Sequence, residues 1–351
     1  MRITRAELDD AAGSGLISLQ QANELWQFLA ARQRETPGFK PAHILYYLGG
    51  LIAIGAMSLF ITLGWQRLGG GGLLAIALGY GAVAVGLTEY LLRRRRLAIP
   101  AGISAALAIA LVPLAVYGLQ HLLGYWSDTD PAQTYRAFHQ RIDWRWVLME
   151  AATLAAGAVA LWRWRLPFIV MPVAVTLWYL CMDVVPLLLG GSAHGFFTDE
   201  GKRVSLALGA VMLLIAFWVD LRSRATRDFA FWLYIFGTLS FWGGLTAMDS
   251  GSELGRFLYA CINLLLIAVG AALSRRVFAV FGGLGLALYL GHLAATVFKD
   301  SLLFPVALTA IGFAVVVAGV LWQRHEATIG LRLRALLPAA IRELVERRAT
   351  T

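Results

Sequence analysis

Apolar runs of about twenty residues, almost free of charge, recur along this chain from residue 44 to residue 322. A helix of that length, rising about 1.5 Å per residue, crosses a bilayer core of roughly 30 Å. No other feature narrows the fold as far. A soluble chain of 351 residues would divide into two or three domains, but this one carries 59% hydrophobic and 15% charged residues. Ordinary soluble domains hold roughly 45–50% and about 25%. A mean hydropathy of +0.68 implies far more apolar surface than one globular core can bury. The expected fold class is all-α: a polytopic helical bundle with the lipid bilayer as its solvent.

Charge sets the ends of the spans. Arg93, Arg94, Arg95 and Arg96 stand in a row between two apolar stretches. Each would cost about 2.5–3.5 kcal/mol near a helix centre, so the four must close one span and precede the next. The same test along the chain gives about ten spans: 44–65, 71–92, 97–123, 146–162, 167–190, 204–221, 229–248, 257–273, 277–298 and 302–322. With spans alternating in direction, 22 of the 30 Lys and Arg residues fall on the side of the N-terminus. Positive charge stays on the cytoplasmic side, so both termini are expected inside, with the chain in a bacterial inner membrane. The four arginines then form a cytoplasmic turn that fixes topology and attracts anionic lipid head groups.

A formal net charge of +9 raises nucleic acid as a partner. The basic residues are scattered over short turns, without one patch or base-stacking aromatics, so no nucleic acid is expected. Each even-numbered span runs into basic residues ("LLRRRR", "LWRWR", "VDLRSR", "ALSRR", "VLWQR"), and the chain reads as five helical hairpins. Duplication and orientation rules explain this pattern equally well. Cys181 and Cys261 fall inside spans, which excludes a disulfide framework or a multi-cysteine zinc site.

Three segments follow from this reading: a cytoplasmic helical hairpin over 1–40, the bundle over 41–323, and a basic amphipathic tail over 324–351. In the hairpin, Gly13 and Gly15 stop the first helix, and Ser18 with Gln21 forms a capping box for the second. Ala22, Leu25, Phe28 and Leu29 make one apolar stripe. It packs on the first helix or receives a cytoplasmic protein partner. The longest outer loop, "DPAQTYRAFHQRIDW", has Asp130 as an N-cap and Pro131 at the first helical position. Its helix, and the tail "IGLRLRALLPAAIRELVERR" bending at Pro338, are expected to lie on the membrane surface.

Familiar chemistry is missing. "RLGGGGLL" lacks the ending of a phosphate loop and reads as a hairpin turn at Gly69 to Gly72. There is no H-E-x-x-H or G-x-S-x-G pattern and the six histidines are scattered, so no catalytic, cofactor or metal residue is assigned. Stripes of small residues, Gly49/Ala53/Ala56, Ala75/Gly79/Ala82/Gly86 and Gly283/Ala287/Gly291, are expected to let helices approach closely.

Polar residues inside the spans carry the functional expectation. Pro172, Thr176, Tyr179 and Asp183 share one helix face; Gly285, Tyr289 and His292 share another. Tyr117, Gln120, His121, Glu150, Thr153, Tyr259 and Asn263 fall at similar depth in the outer half. Ionisable groups in spans usually face a bundle interior or a water-filled cavity. An outer polar cavity is therefore expected around His121, Glu150, Thr176, Tyr179, Asp183, Asn263, Tyr289 and His292. Its carboxylates would bind a cation or exchange protons, and its histidines would respond near neutral pH. The competing reading leaves these groups close enough to the head groups to reach water, or to pair with Arg145 or Arg203. Glu89 and Asp220, in the inner half, lie close to arginines able to neutralise them.

"GLISLQQANEL", followed by "ILYYLGGLIAIGAMSLFITLGW", resembles the opening of the bacterial family called domain of unknown function 2157. The matching positions are Gly15, Leu16, Ile17, Ser18, Gln21, Ala22, Tyr47, Leu48, Gly49 and Gly50. The resemblance covers the first quarter to third of the chain. It implies a multi-pass inner-membrane protein and carries over no functional residue. Three functions remain: transport of a small solute or ion, a non-transporting sensor or scaffold acting through the N-terminal hairpin, and a membrane enzyme acting on a lipid-linked substrate.

Overall fold

The computed structural model describes residues 5–33, 41–126, 144–188, 198–222, 228–248, 251–273, 275–293 and single positions beyond. Side chains at 28–33, 41–44, most of 47–68 and 181–188 are outside that description. The outer-loop helix, the tenth span, the tail and the side chain of Asp183 therefore lie outside the described residues. Every regular element among the described residues is helical. The chain forms two compact units, Met1–Ser240 and Phe241–Thr351.

The first unit opens with α1 (Arg5–Gly13) and α2 (Leu19–Gln33). Gly15 takes φ 74, with the N–H of Leu16 on the carbonyl of Ala11 and that of Gly15 on Ala12. This is the Schellman arrangement, in which a left-handed residue closes the helix. The capping box forms as its spacing predicts. Gln21 N–H donates to Ser18 Oγ at 3.1 Å, and Ser18 N–H donates to Gln21 Oε1 at 2.9 Å. Of the two stripe residues whose side chains are described, Ala22 is buried, as is Leu8 of α1, and Leu25 remains 43% exposed.

Helix α3 (Pro41–Tyr90) carries the first two expected spans and is interrupted at Gly69, with φ 58 and ψ 177. The break expected over Gly69 to Gly72 is thus a single residue, and Gly70 to Gly72 are already helical. Gly70 is where α3 meets α5 (Val112–Leu122): a Cβ there would stand 2.8 Å from the carbonyl oxygen of Gly118. The third expected span, over 97–123, is broken into α4 (Ala98–Ala110) and α5 at Leu111. Pro113 explains the break, since it has no N–H for the helical ladder. Then come α6 (Trp144–Trp164), a 3-10 turn (Pro167–Ile169) and α7 (Val170–Leu188). Pro172 sits in the first turn of α7, where its missing N–H costs nothing. Helices α8 (Asp199–Arg222) and α9 (Phe231–Ala247) follow. Ser205 and Ser240 join them, each hydroxyl donating to the other's carbonyl at 2.9 Å.

The second unit holds the end of α9, α10 (Glu253–Leu273) and α11 (Arg276–His292). The turn between α10 and α11 is tight: Arg275 N–H bonds to Gly270 O at 2.9 Å, and Arg275, expected as a solvated turn charge, is buried. Further along the pair, Gly282 and Gly285 of α11 lie against Asn263 of α10.

Among the described residues, the small-residue stripes do not form the helix contacts. Gly49, Gly79, Gly86, Gly283 and Gly291 meet no neighbour within 4 Å among the described residues. The buried face of α3 is Leu73, Ala77, Ala84 and Thr88, and that of α11 is Phe278, Gly282 and Gly285. One residue turns a helix by about 100°, so a stripe read one position away points elsewhere.

Five described segments are long and apolar enough to cross a membrane: Gly69–Arg95, Ala98–Leu122, Trp144–Trp164, Asp199–Arg222 and Glu253–Leu273. Their exposure is inverted relative to a soluble bundle. Leu78, Val83, Val159, Leu214 and Leu265 are each more than half exposed, while Thr88, Thr153, Ser205, Thr238, Ser240 and Asn263 are almost wholly buried. Lipid as solvent favours that distribution, because polar groups gain only by facing one another.

Candidate functional site

In the second unit, the ends of α9 and α11 and the start of α10 enclose a cavity of about 450 Å³. Ligand pockets generally measure roughly 300–1,000 Å³. Its polar wall is Thr246, Arg256, Tyr259, Tyr289 and His292; Leu245, Met248, Leu258, Ile262 and Leu288 supply most of the apolar wall.

Helical spacing builds the polar wall. Arg256 and Tyr259 are three apart on α10, and Tyr289 and His292 are three apart on α11, so each pair shares a face. Thr246 closes the wall from α9, its hydroxyl 2.9 Å from that of Tyr259. At the rim, Arg256 NH1 bonds to Glu253 Oε1 at 2.7 Å and lies 3.2 Å from His292 Nε2. His292 Nε2 is also 3.3 Å from Glu253 Oε1, and Thr296 Oγ1 is 2.8 Å from its Nδ1. Tyr289 also lines the cavity, and its hydroxyl has no partner among the described residues.

Asn263 lies one turn beneath Tyr259 and holds this framework together. Its Nδ2 donates to the Tyr259 carbonyl at 2.8 Å, and its Oδ1 accepts the Trp242 indole N–H at 3.1 Å. It is fully buried and is not part of the cavity wall.

The remaining expected site residues belong to the first unit. Glu150 is buried on α6. His121 ends α5, its ring 6.1 Å from that of Tyr117. Tyr117 packs in turn with Met149 and Leu114. Thr176 donates to the Pro172 carbonyl of its own helix at 2.8 Å, and the Tyr179 ring lies 5.2 Å from Trp178. Gln120 bridges the Arg145 carbonyl at 3.1 Å and the Trp126 indole at 3.2 Å. Arg145 covers the Trp126 ring at 4.3 Å and donates to the Tyr125 carbonyl at 2.6 Å. The Asp220 carboxylate accepts the Tyr234 hydroxyl at 3.2 Å.

Tyr289 and His292 thus meet in one cavity, with Tyr259. The sequence reading missed Glu253 and Thr246 altogether and counted Arg256 only as a topology charge. The one local signal was the three-residue spacing of Glu253 and Arg256; the convergence on His292 is tertiary.

No protein-family model, curated protein or solved structure matches this chain.

Proposed function

We propose that this chain is a multi-pass protein of a bacterial inner membrane, with both termini inside, that transports a small solute. The cavity of the second unit carries the reading. It combines one guanidinium, three hydroxyls and an imidazole with an apolar wall, at one end of a helix set. Arginine and hydroxyl donors suit a carboxylate or another acceptor-rich group, and the leucines and Met248 suit an apolar body. The resemblance of the opening residues to the family called domain of unknown function 2157 supports the inner membrane and leaves the solute open.

The test is counterflow in proteoliposomes containing the full chain, with radiolabelled benzoate and a short series of aliphatic carboxylates. We expect uptake that falls at least about tenfold in Tyr289→Phe or Arg256→Gln, the scale of one lost hydrogen bond to a charged group. Removal of residues 1–33 should leave the flux intact. Uptake equal to that of protein-free vesicles for every probe overturns the transport reading.

A scaffold is the second reading, and one observation favours it: Leu16 and Leu19 of the N-terminal hairpin are 79% and 69% exposed. Together with Leu25, 43% exposed, they would offer an apolar surface to a partner protein.

A further inference from the structure

The carboxylate of Glu89 draws two arginine-rich helix ends together. It binds Arg93 Nε on its own helix at 2.6 Å, the Arg163 guanidinium at 2.9 Å and the Trp164 indole N–H at 2.9 Å. Arg163 and Trp164 close α6, far along the chain from α3. At both ends the chain turns on an arginine in the left-handed region: Arg96 with φ 54 and Arg165 with φ 50. Glycine usually occupies such positions; arginine keeps a charge at the tip of each turn.

The Glu89 carboxylate thus joins the helix end that carries Arg93 to Arg96 to the one that carries Arg163 and Arg165. Arg93 and Arg163 share Glu89, and Arg95 donates to the Tyr90 hydroxyl at 3.1 Å. The guanidinium groups of Arg94, Arg96 and Arg165 form no ion pair or hydrogen bond among the described residues. In the same two helix ends Trp162 is 77% and Tyr90 47% exposed, the residue types that anchor spans at the head-group level. Both spans end here, Gly69–Arg95 and Trp144–Trp164.

We propose that this paired cradle binds an anionic lipid head group carrying two phosphates, one at the α3 tip (Arg94, Arg96) and one at the α6 tip (Arg163, Arg165). Guanidinium forks match phosphate oxygens in pairs, and Trp162 and Tyr90 lie along the acyl chains. A single-phosphate lipid engages one tip only. The proposal rests on the spans lying in a bilayer and is independent of transport.

Native mass spectrometry of the full chain in neutral detergent measures this, with diphosphatidylglycerol, phosphatidylglycerol, phosphatidylcholine and inorganic pyrophosphate as probes. Diphosphatidylglycerol should bind at least about tenfold more tightly than the other three. Each arginine near an anionic surface contributes about fivefold, so Arg94→Gln with Arg165→Gln should weaken it about 25-fold. Arg222→Gln with Arg276→Gln removes the same charge elsewhere and should weaken it less than about threefold. Equal losses in the two double variants mean diffuse attraction and overturn the site. Diphosphatidylglycerol no tighter than phosphatidylglycerol overturns the two-phosphate fit, and pyrophosphate binding as tightly makes the ligand a soluble phosphate. Circular dichroism of each variant confirms helix content, and all four substituted side chains leave the Glu89 contacts intact.

Discussion

Gly285→Ala tests how the cavity is held. A Cβ at Gly285 would stand 2.0 Å from Asn263 Oδ1, 2.3 Å from its Cγ and 2.6 Å from its Nδ2. Unstrained atoms keep roughly 3.5 Å, so one side must yield by about 1.5 Å. If Asn263 turns away, it leaves the Tyr259 carbonyl of its own helix and Trp242 Nε1 of α9; an interhelical bond such as the latter averages about 0.6 and reaches about 1.7 kcal/mol in membranes. If α10 and α11 move apart instead, the overpacking costs about 1–3 kcal/mol. Either route puts the loss at about 1–3 kcal/mol. SDS titration of the detergent-solubilised chain, followed by tryptophan fluorescence, measures it. Asn263→Ala removes the obstructing amide, so adding Gly285→Ala in that background should cost little, with a coupling of about 1–3 kcal/mol. A Gly285→Ala chain within about 0.5 kcal/mol of the parent, or a cost unchanged beside Asn263→Ala, would refute the packing argument.

Three further outcomes are expected. Ser205→Ala and Ser240→Ala should each destabilise by about 1 kcal/mol, and the double variant by less than their sum, because the two hydroxyls serve one reciprocal pair; the same SDS titration decides it. Ser18→Ala should weaken the start of α2 by about 1 kcal/mol, read as faster amide exchange at Gln21 and Ala22 with the other helices unchanged. In a chain without native cysteines, Asp130→Cys and Ser250→Cys should react with an impermeant maleimide on intact cells, and Arg94→Cys and Arg224→Cys only after lysis; equal reactivity of all four removes the proposed topology.

What could be read from the sequence was what neighbouring residues decide. The Gly15 stop and the Ser18–Gln21 box each depend on fewer than six residues, and each formed, whereas the span expected over 97–123 is interrupted at Leu111. The end of α3 at the arginine run was legible because charge cannot remain in hydrocarbon. Its form was not: Leu91–Arg95 makes a π turn closed by Arg96, which no propensity announces. The packing faces were misread. In a soluble helix the apolar side identifies the core, but with lipid outside both sides are apolar and the stripe loses its direction. Only depth in the fold distinguishes Gly282 from Gly283.

The candidate site illustrates a related difficulty, because polarity within a span is a weak guide by itself. Thr88, Thr153 and Thr176 each donate to the carbonyl four residues back, on Ala84, Met149 and Pro172. Such hydroxyls are satisfied wherever the helix goes, so they demand neither a partner nor a cavity. Polar groups that reach another helix are different, since their placement fixes how two elements pack. Among the described residues these include Ser205–Ser240, Trp242–Asn263, Thr246–Tyr259 and Arg256–His292. All but the serine pair lie in or directly beneath the cavity of the second unit. A bundle gains packing energy from any of these bonds, but three at one end of three helices also place an arginine and an imidazole beside the Tyr289 hydroxyl around open space. That concentration, which sequence polarity alone does not convey, distinguishes this end of the chain from the other helix contacts among the described residues.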